Sequence, residues 1–206
     1  MSFNPNQLLN NPAALLSVPG RRVLPPGPEA APAEPTPLPP YDKTMYENAF
    51  SRLGMLNIAN VVDLGCGPGR FAGVMTERRQ RPEVYLGVDR GHDQIKTAKA
   101  AFPGWSFLYG DFCDPQIRSQ YERYEAFLLL NVLEQLEDDL GFLAGVPSGK
   151  PVVFSMPQFP KEGALRYYAD SSSLRERYSS LLSVRAMGRY VSSSGEVYAM
   201  AQGVRW

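Results

Sequence analysis

The eleven residues Val61–Phe71, "VVDLGCGPGRF", hold the densest chemistry in the chain. An apolar, β-branched run ends in an acid at Asp63, and glycines follow at 65, 67 and 69 before a stretch with helical spacing. Such a turn leaves bare main chain at the carboxyl end of a strand, which is where open α/β sheets bind ligands. Glycine allows both the tight turn and a ligand in contact with the backbone. A dinucleotide fingerprint would need glycine at position 70, where this chain has Arg70, and no Gly-Lys-Ser or Gly-Lys-Thr follows to make a P-loop. Two more acids end apolar runs, Asp89 in "VYLGVD" and Asp111 in "FLYGDF". One acid at a strand end serves equally well as a helix cap. Three in succession favour a single ligand that offers several donors.

On these residues Val61–Phe71 resembles motif I of the class I S-adenosylmethionine-dependent methyltransferases, an acid followed by G-x-G-x-G. The resemblance extends over residues 41–206. It implies S-adenosyl-L-methionine as cofactor, with Asp63 at the methionine ammonium, directly or through water. It further implies Asp89 at the ribose hydroxyls and Asp111, with Phe112 beside it, at the adenine amine. Gly65, Cys66, Gly67, Arg90 and Asn131 complete the implied cofactor set. The assignment suits the ligand: hydroxyls and an exocyclic amine are donors, and carboxylates accept.

The fourth apolar run leads into "NVLEQ", Asn131–Gln135. The amino-methyltransferases of DNA carry Asn or Asp, Pro-Pro and an aromatic at this point, so base methylation loses its expected residues. The stretch resembles the Leu-Glu-His pattern of small-molecule methyltransferases, with Gln135 in place of the histidine. Gln135 takes no proton at neutral pH. Either the acceptor needs no strong base or another group serves, and no catalytic residue is assigned. Acceptor contacts are expected from Glu134, Gln135, Arg166 and Tyr167, with Tyr168 adjacent. The alternative is that Arg166 pairs with a carboxylate and the tyrosines pack under the loop. Tyr41 and Tyr46 are placed either to close over the cofactor or simply to pack.

Around these residues the chain alternates. Apolar runs recur at "VVDLG", "VYLGVD", "SFLYG", "AFLLL" and "PVVFSM", separated by stretches of helical spacing, which predicts a parallel sheet covered on both faces. "SVRAMGRYV" and "EVYAMAQGVRW", joined by only "SSSG", predict an antiparallel hairpin. Met45, Ala49, Leu53 and Leu56 lie at helical spacing ahead of the first strand. The expected fold is Rossmann-like α/β, five parallel strands with a C-terminal antiparallel hairpin.

Of 19 prolines, 11 fall in the first 40 residues, which are expected to form an extended proline-rich arm before the domain at 41–206. Lys plus Arg and Asp plus Glu balance at 21 each, which speaks against nucleic acid as partner. The longest apolar runs fall short of a spanning helix and the N-terminus lacks a leader pattern, so no membrane association and a cytoplasmic location are expected. Cys66 and Cys113 are expected as reduced thiols. With one histidine, His92, expected to face solvent, there is no material for a metal site. Two functions follow. One is methyl transfer to a small molecule or a protein side chain. The other is a methyltransferase-like interaction module whose arm docks on a protein partner.

Overall fold

The apolar runs become strands in a computed structural model that describes residues 38, 42–79 and 82–206. Apart from Leu38, the arm expected over residues 1–40, and Tyr41 with it, lies outside the described residues. The strands are β1 (Asn60–Leu64), β2 (Val84–Asp89), β3 (Ser106–Tyr109), β4 (Ala126–Leu130), β5 (Pro151–Pro157), β6 (Leu182–Val191) and β7 (Val197–Arg205). They form one sheet in the order β3-β2-β1-β4-β5-β7-β6. The first five are parallel, β7 runs antiparallel to β5, and β6 pairs with β7 as the hairpin partner at the edge. The fold is therefore α/β and Rossmann-like, as the alternation of runs predicts.

The helices are α1 (Thr44–Met55), α2 (Arg70–Glu77), α3 (His92–Ala101), α4 (Pro115–Arg118), α5 (Asp139–Ala144) and α6 (Ser171–Tyr178), with short 3-10 turns at Tyr121–Arg123 and Leu133–Gln135. Successive side chains of a strand point to opposite faces, and here both faces are covered. Val62, Leu64, Phe127, Leu129 and Phe154 pack on one side with Leu174 of α6. Val61, Leu128 and Val153 pack on the other with Phe71 of α2 and Met45, Ala49 and Leu53 of α1. Leu56 lies one residue past the end of α1 as its C-cap, only half-buried. The start of the domain is tied to the hairpin turn: Asp42 accepts from the N–H groups of Thr44, at 2.8 Å, and Ser193.

The crossover from β1 to β2 and the reversal to β4 on β1's other side create the switch point of the sheet. Ligand sites in such sheets open above it, at the carboxyl ends of the strands.

Candidate functional site

β1 delivers Asp63 to that edge and then turns through three glycines with left-handed backbones, φ +76° at Gly65, +53° at Gly67 and +80° at Gly69. The three serve different ends. A Cβ on Gly65 would lie 2.4 Å from Val132 Cγ2, and one on Gly69 would meet Phe102, Phe107 and Ala98 at 3.0 to 3.2 Å. Both are close-packing positions. A Cβ on Gly67 would meet only Gln94 Oε1 at 4.0 Å, so this residue alone of the three bares its face to open space.

The turn is bonded to its neighbours. The Gly65 and Cys66 N–H groups both donate to the Val88 carbonyl, at 2.8 and 3.1 Å, and Gly67 N–H donates to Asp89 Oδ2 at 2.8 Å. The other Asp89 oxygen accepts from Gly91 N–H at 2.7 Å, and the Asp89 carbonyl accepts from Gly110 N–H at 3.0 Å. Asp89 is therefore fixed by two backbone donors. Each of its oxygens retains accepting capacity toward the edge. Asp111 follows Gly110, is exposed, and accepts from Cys113 N–H at 2.8 Å. The register Asp63 with Gly87, and Asp89 with Tyr109, sets the three acids side by side along one rim.

Asp63 is the buried member, 2% exposed, and accepts from the Tyr85 hydroxyl at 2.8 Å. Burial pushes its carboxyl up to about 7; the Tyr85 bond opposes this and the nearby Asp89 charge adds to it. A buried carboxylate with a single hydroxyl partner is short of positive charge, and a cationic ligand group would supply it. Among the described residues this rim fits an amino-acid-bearing nucleoside: an acid for an ammonium, a bared backbone, an acid for vicinal hydroxyls and an exposed acid for an amine.

Several expected contacts are narrowed by the structure. The Cys66 thiol is turned under β2, where a Cβ on Gly87 would meet it at 2.8 Å, and burial with the Asp63 and Asp89 charges raises its pKa. Only its main chain can face a ligand. The Phe112 ring is 6% exposed and packs edge-on against Phe142 at 5.5 Å, so it belongs to the core. Arg90 is exposed beside the rim. His92 is exposed and meets Tyr109 at 5.5 Å between ring centres.

Beyond β4, Asn131 adopts a left-handed backbone with φ 55°, and its N–H and side-chain oxygen both engage the Ser155 hydroxyl, at 2.9 and 3.0 Å. The Gln135 amide donates to the Asn131 carbonyl at 2.7 Å, so it braces the turn. Arg166 requires a correction. Its guanidinium donates to the carbonyls of Leu133, Leu136 and Glu137, at 2.8, 2.5 and 3.1 Å, and stands 3.5 Å from the buried Asp139 carboxylate. With three of its five N–H donors bonded to these carbonyls, it positions the turn after β4. Tyr167 is 46% exposed, whereas Tyr168 packs against the core. Glu134 is 0% exposed with both carboxylate oxygens unpaired.

Comparison with known proteins agrees with this geometry. The FtsJ-like methyltransferase family matches residues 46–138, the span from α1 through β4. By fold and by this partial match the chain is similar to the class I S-adenosylmethionine-dependent methyltransferases. Trans-aconitate 2-methyltransferase of Azoarcus sp. (strain BH72) is 34% identical over 61 residues, 30% of this chain. That stretch spans only 24% of the relative's length. Magnesium protoporphyrin IX methyltransferase from Synechocystis PCC 6803, solved with bound SAH, superposes with a TM-score of 0.58 at 15% identity, over 80% of this chain and 83% of that one. The methyltransferase domain of bacterial CtHen1 gives 0.59 at 16% identity, over 79% and 97%. At such identities these structures share the methyltransferase fold with this chain.

The sequence does not signal Tyr85 as the partner of Asp63, nor the pair Tyr190 and Tyr198 near Glu134. The first is visible only once the β1–β2 register sets Val61 opposite Tyr85. The second needs the position of β7 between β5 and β6.

Proposed function

We propose that this chain binds S-adenosylmethionine across the carboxyl ends of β1, β2 and β3 and transfers its methyl group to a small molecule. The observation that carries the reading is the bared face of Gly67 between the buried, charge-poor Asp63 and the backbone-fixed Asp89. Asp63 would hold the methionine ammonium, Asp89 the ribose hydroxyls and Asp111 the adenine amine, with the main chain of Gly65, Cys66 and Gly67 beneath. Arg90 and Asn131 flank the two ends of this line. When bound, the cofactor supplies a sulfonium that is already an activated methyl donor. The protein's own task is then to hold the acceptor in line and exclude water.

Two observations support a small acceptor. The half of the sheet edge past β4 is lined by aromatic side chains and a buried carboxylate, and the overall charge is balanced. The rival reading, a module that has given up catalysis, gains no support from a site that keeps its glycine cradle and all three acids.

Isothermal titration with S-adenosylmethionine and S-adenosylhomocysteine tests the first step, and transfer of labelled methyl to a panel of small molecules tests the second. Micromolar binding of both cofactor forms is expected. Failure to bind either would overturn the proposal.

A further inference from the structure

Past the proposed cofactor rim, the sheet edge holds a buried carboxylate that no side chain satisfies. Glu134 lies in the 3-10 turn after β4, closed from solvent, with neither carboxylate oxygen bonded. Tyr190 of β6 and Tyr198 of β7 stand opposite one another with rings stacked at 5.1 Å, and both lie within the field of the Glu134 charge. The Tyr190 hydroxyl is buried beside the Ser155 hydroxyl, which is itself engaged by Asn131. Phe159 meets the Tyr198 ring edge-on at 5.3 Å.

Buried polar groups in folded proteins are nearly always paired, and a closed carboxylate with neither oxygen bonded, beside a pair of stacked phenols, calls for a partner from outside. Aromatic walls with a few convergent polar groups are the usual make-up of a small-molecule site.

We propose that Glu134 and Tyr190, with Tyr198 beside them, line the acceptor site of the methyl transfer argued above, on which the inference rests, and that Glu134 accepts the proton of a hydroxyl or amine nucleophile on a small planar molecule. The step balances. The acceptor's lone pair forms the new bond to the methyl carbon, the carbon–sulfur bond breaks with its electrons leaving on sulfur as a neutral thioether, and the acceptor's proton passes to a Glu134 oxygen. This answers how the chain manages with Gln135 where relatives of its pattern carry histidine. Carboxylic acids fit poorly, because their anion would face the Glu134 carboxylate.

Burial pushes Glu134 up to about 7, against the pull of its own backbone N–H and of Lys161 and Arg166. The groups that face it are Lys161 and Arg166 from the segment after β5, Tyr190 from β6 and Tyr198 from β7. A base with that value operates near neutrality. The segment after β5 is also pinned directly on this residue, Leu165 N–H donating to the Glu134 carbonyl at 2.7 Å. An arriving acceptor would disturb that bond.

The test uses the full chain, the variants Glu134→Gln and Tyr190→Phe, and phenol and benzoate as probes. In protein carrying carboxyl-labelled glutamate, the Glu134 carbon signal is identified by its loss in the Gln variant. Phenol is expected to lower the pH at which that signal titrates, to bind Glu134→Gln at least about 10-fold more weakly, and to bind Tyr190→Phe at an intermediate strength. Benzoate should prefer Glu134→Gln to the native chain above pH 7. Faster hydrogen exchange at Leu165 should accompany phenol binding. A Glu134 signal indifferent to phenol, or equal phenol affinity for the native chain and Glu134→Gln, overturns the proposal. If Glu134→Gln does not fold, the native signal titrating near neutrality and Tyr190→Phe decide it. S-adenosylmethionine is titrated separately. If the native chain does not bind it, the methyltransferase reading fails, while the phenol result still judges the pocket.

Discussion

Gly67 N–H donates to Asp89 Oδ2 at 2.8 Å, so the glycine turn after β1 and the end of β2 act as one unit. Asp89 holds the turn and, in the proposed site, would also present oxygens to the ligand. Asp89→Ala removes both and should weaken S-adenosylmethionine binding by about 2–4 kcal/mol. Asp89→Asn keeps one acceptor and should lose less. Titration calorimetry measures both, and an unchanged affinity in the alanine variant would remove Asp89 from the site.

The glycines should separate fold from function. Gly67→Val places its side chain in open space, so it should cost only the left-handed backbone strain, about 1–3 kcal/mol, while blocking the ligand. Gly65→Val drives a carbon into Val132 and should lower the melting temperature much more. A Gly67→Val protein that still binds cofactor would place the site elsewhere.

Asp63 gives a pH signature. Its folded pKa of about 7 lies above the ordinary value of 3.8, so between these values the folded state holds a proton that the unfolded state has released. Stability contributed in this way is present below pH 4 and is lost as pH rises through 7, by a few kcal/mol at most. Asp63→Asn should therefore melt higher than the native chain at pH 8. Binding of an ammonium reverses the preference, because it needs the carboxylate. Cofactor affinity should rise from pH 5.5 to 8 with release of a proton, visible as a buffer-dependent binding enthalpy, and Asp63→Asn should flatten that rise.

Asp139 behaves in the opposite sense. It is 1% exposed and accepts from Arg177 Nε and Nη2 at 3.0 and 2.5 Å and from the Tyr178 hydroxyl at 2.7 Å. Burial raises its pKa, but these bonds and the charges of Arg166 and Arg177 outweigh burial and hold it below the ordinary value. Its contribution is present above pH 4 and is lost as pH falls through the lowered folded value. Asp139→Ala strands Arg177 and should cost about 3–5 kcal/mol in denaturant melts. Arg166→Ala should also lower stability, since three carbonyls lose a donor. A loss of acceptor affinity with unchanged melting would restore Arg166 as a recognition residue.

For the arm, deletion of residues 1–40 is expected to leave melting temperature and cofactor affinity nearly unchanged and to weaken association with a protein partner. Leu8, Leu9, Leu15 and Leu16 are the apolar anchors proposed, with Arg21 and Arg22 the charged ones. A truncated chain that melts well below the full one would show instead that the arm packs on its own domain.

The sheet was legible because its signals are local. Each buried parallel strand is a continuous apolar run, and "SSSG" leaves room only for a hairpin. The proposed cofactor rim was legible for the same reason, as acids and glycines at strand ends. Arg166 was not, because an arginine's partners are chosen by the fold: its carbonyls lie 29 to 33 positions earlier. Phe112 sits beside a rim acid in sequence, but its ring points into the core, which adjacency cannot reveal. Tyr190 and Tyr198 carry no motif. They meet Glu134 because an antiparallel strand enters between β5 and β6.

That insertion also bears on how the chain acquires its shape during synthesis. The strands of the cofactor rim come from one continuous stretch, residues 60–109, and each pairs with a neighbour already made. β5, in contrast, keeps an open edge until β7 arrives some 40 positions later. A nascent chain stalled before Val197 would have its first three strands assembled but would expose the bare flank of β5, an adhesive strand edge. Truncated chains ending before β7 should therefore aggregate, and pulse-labelled refolding should protect β1 and β2 ahead of β5.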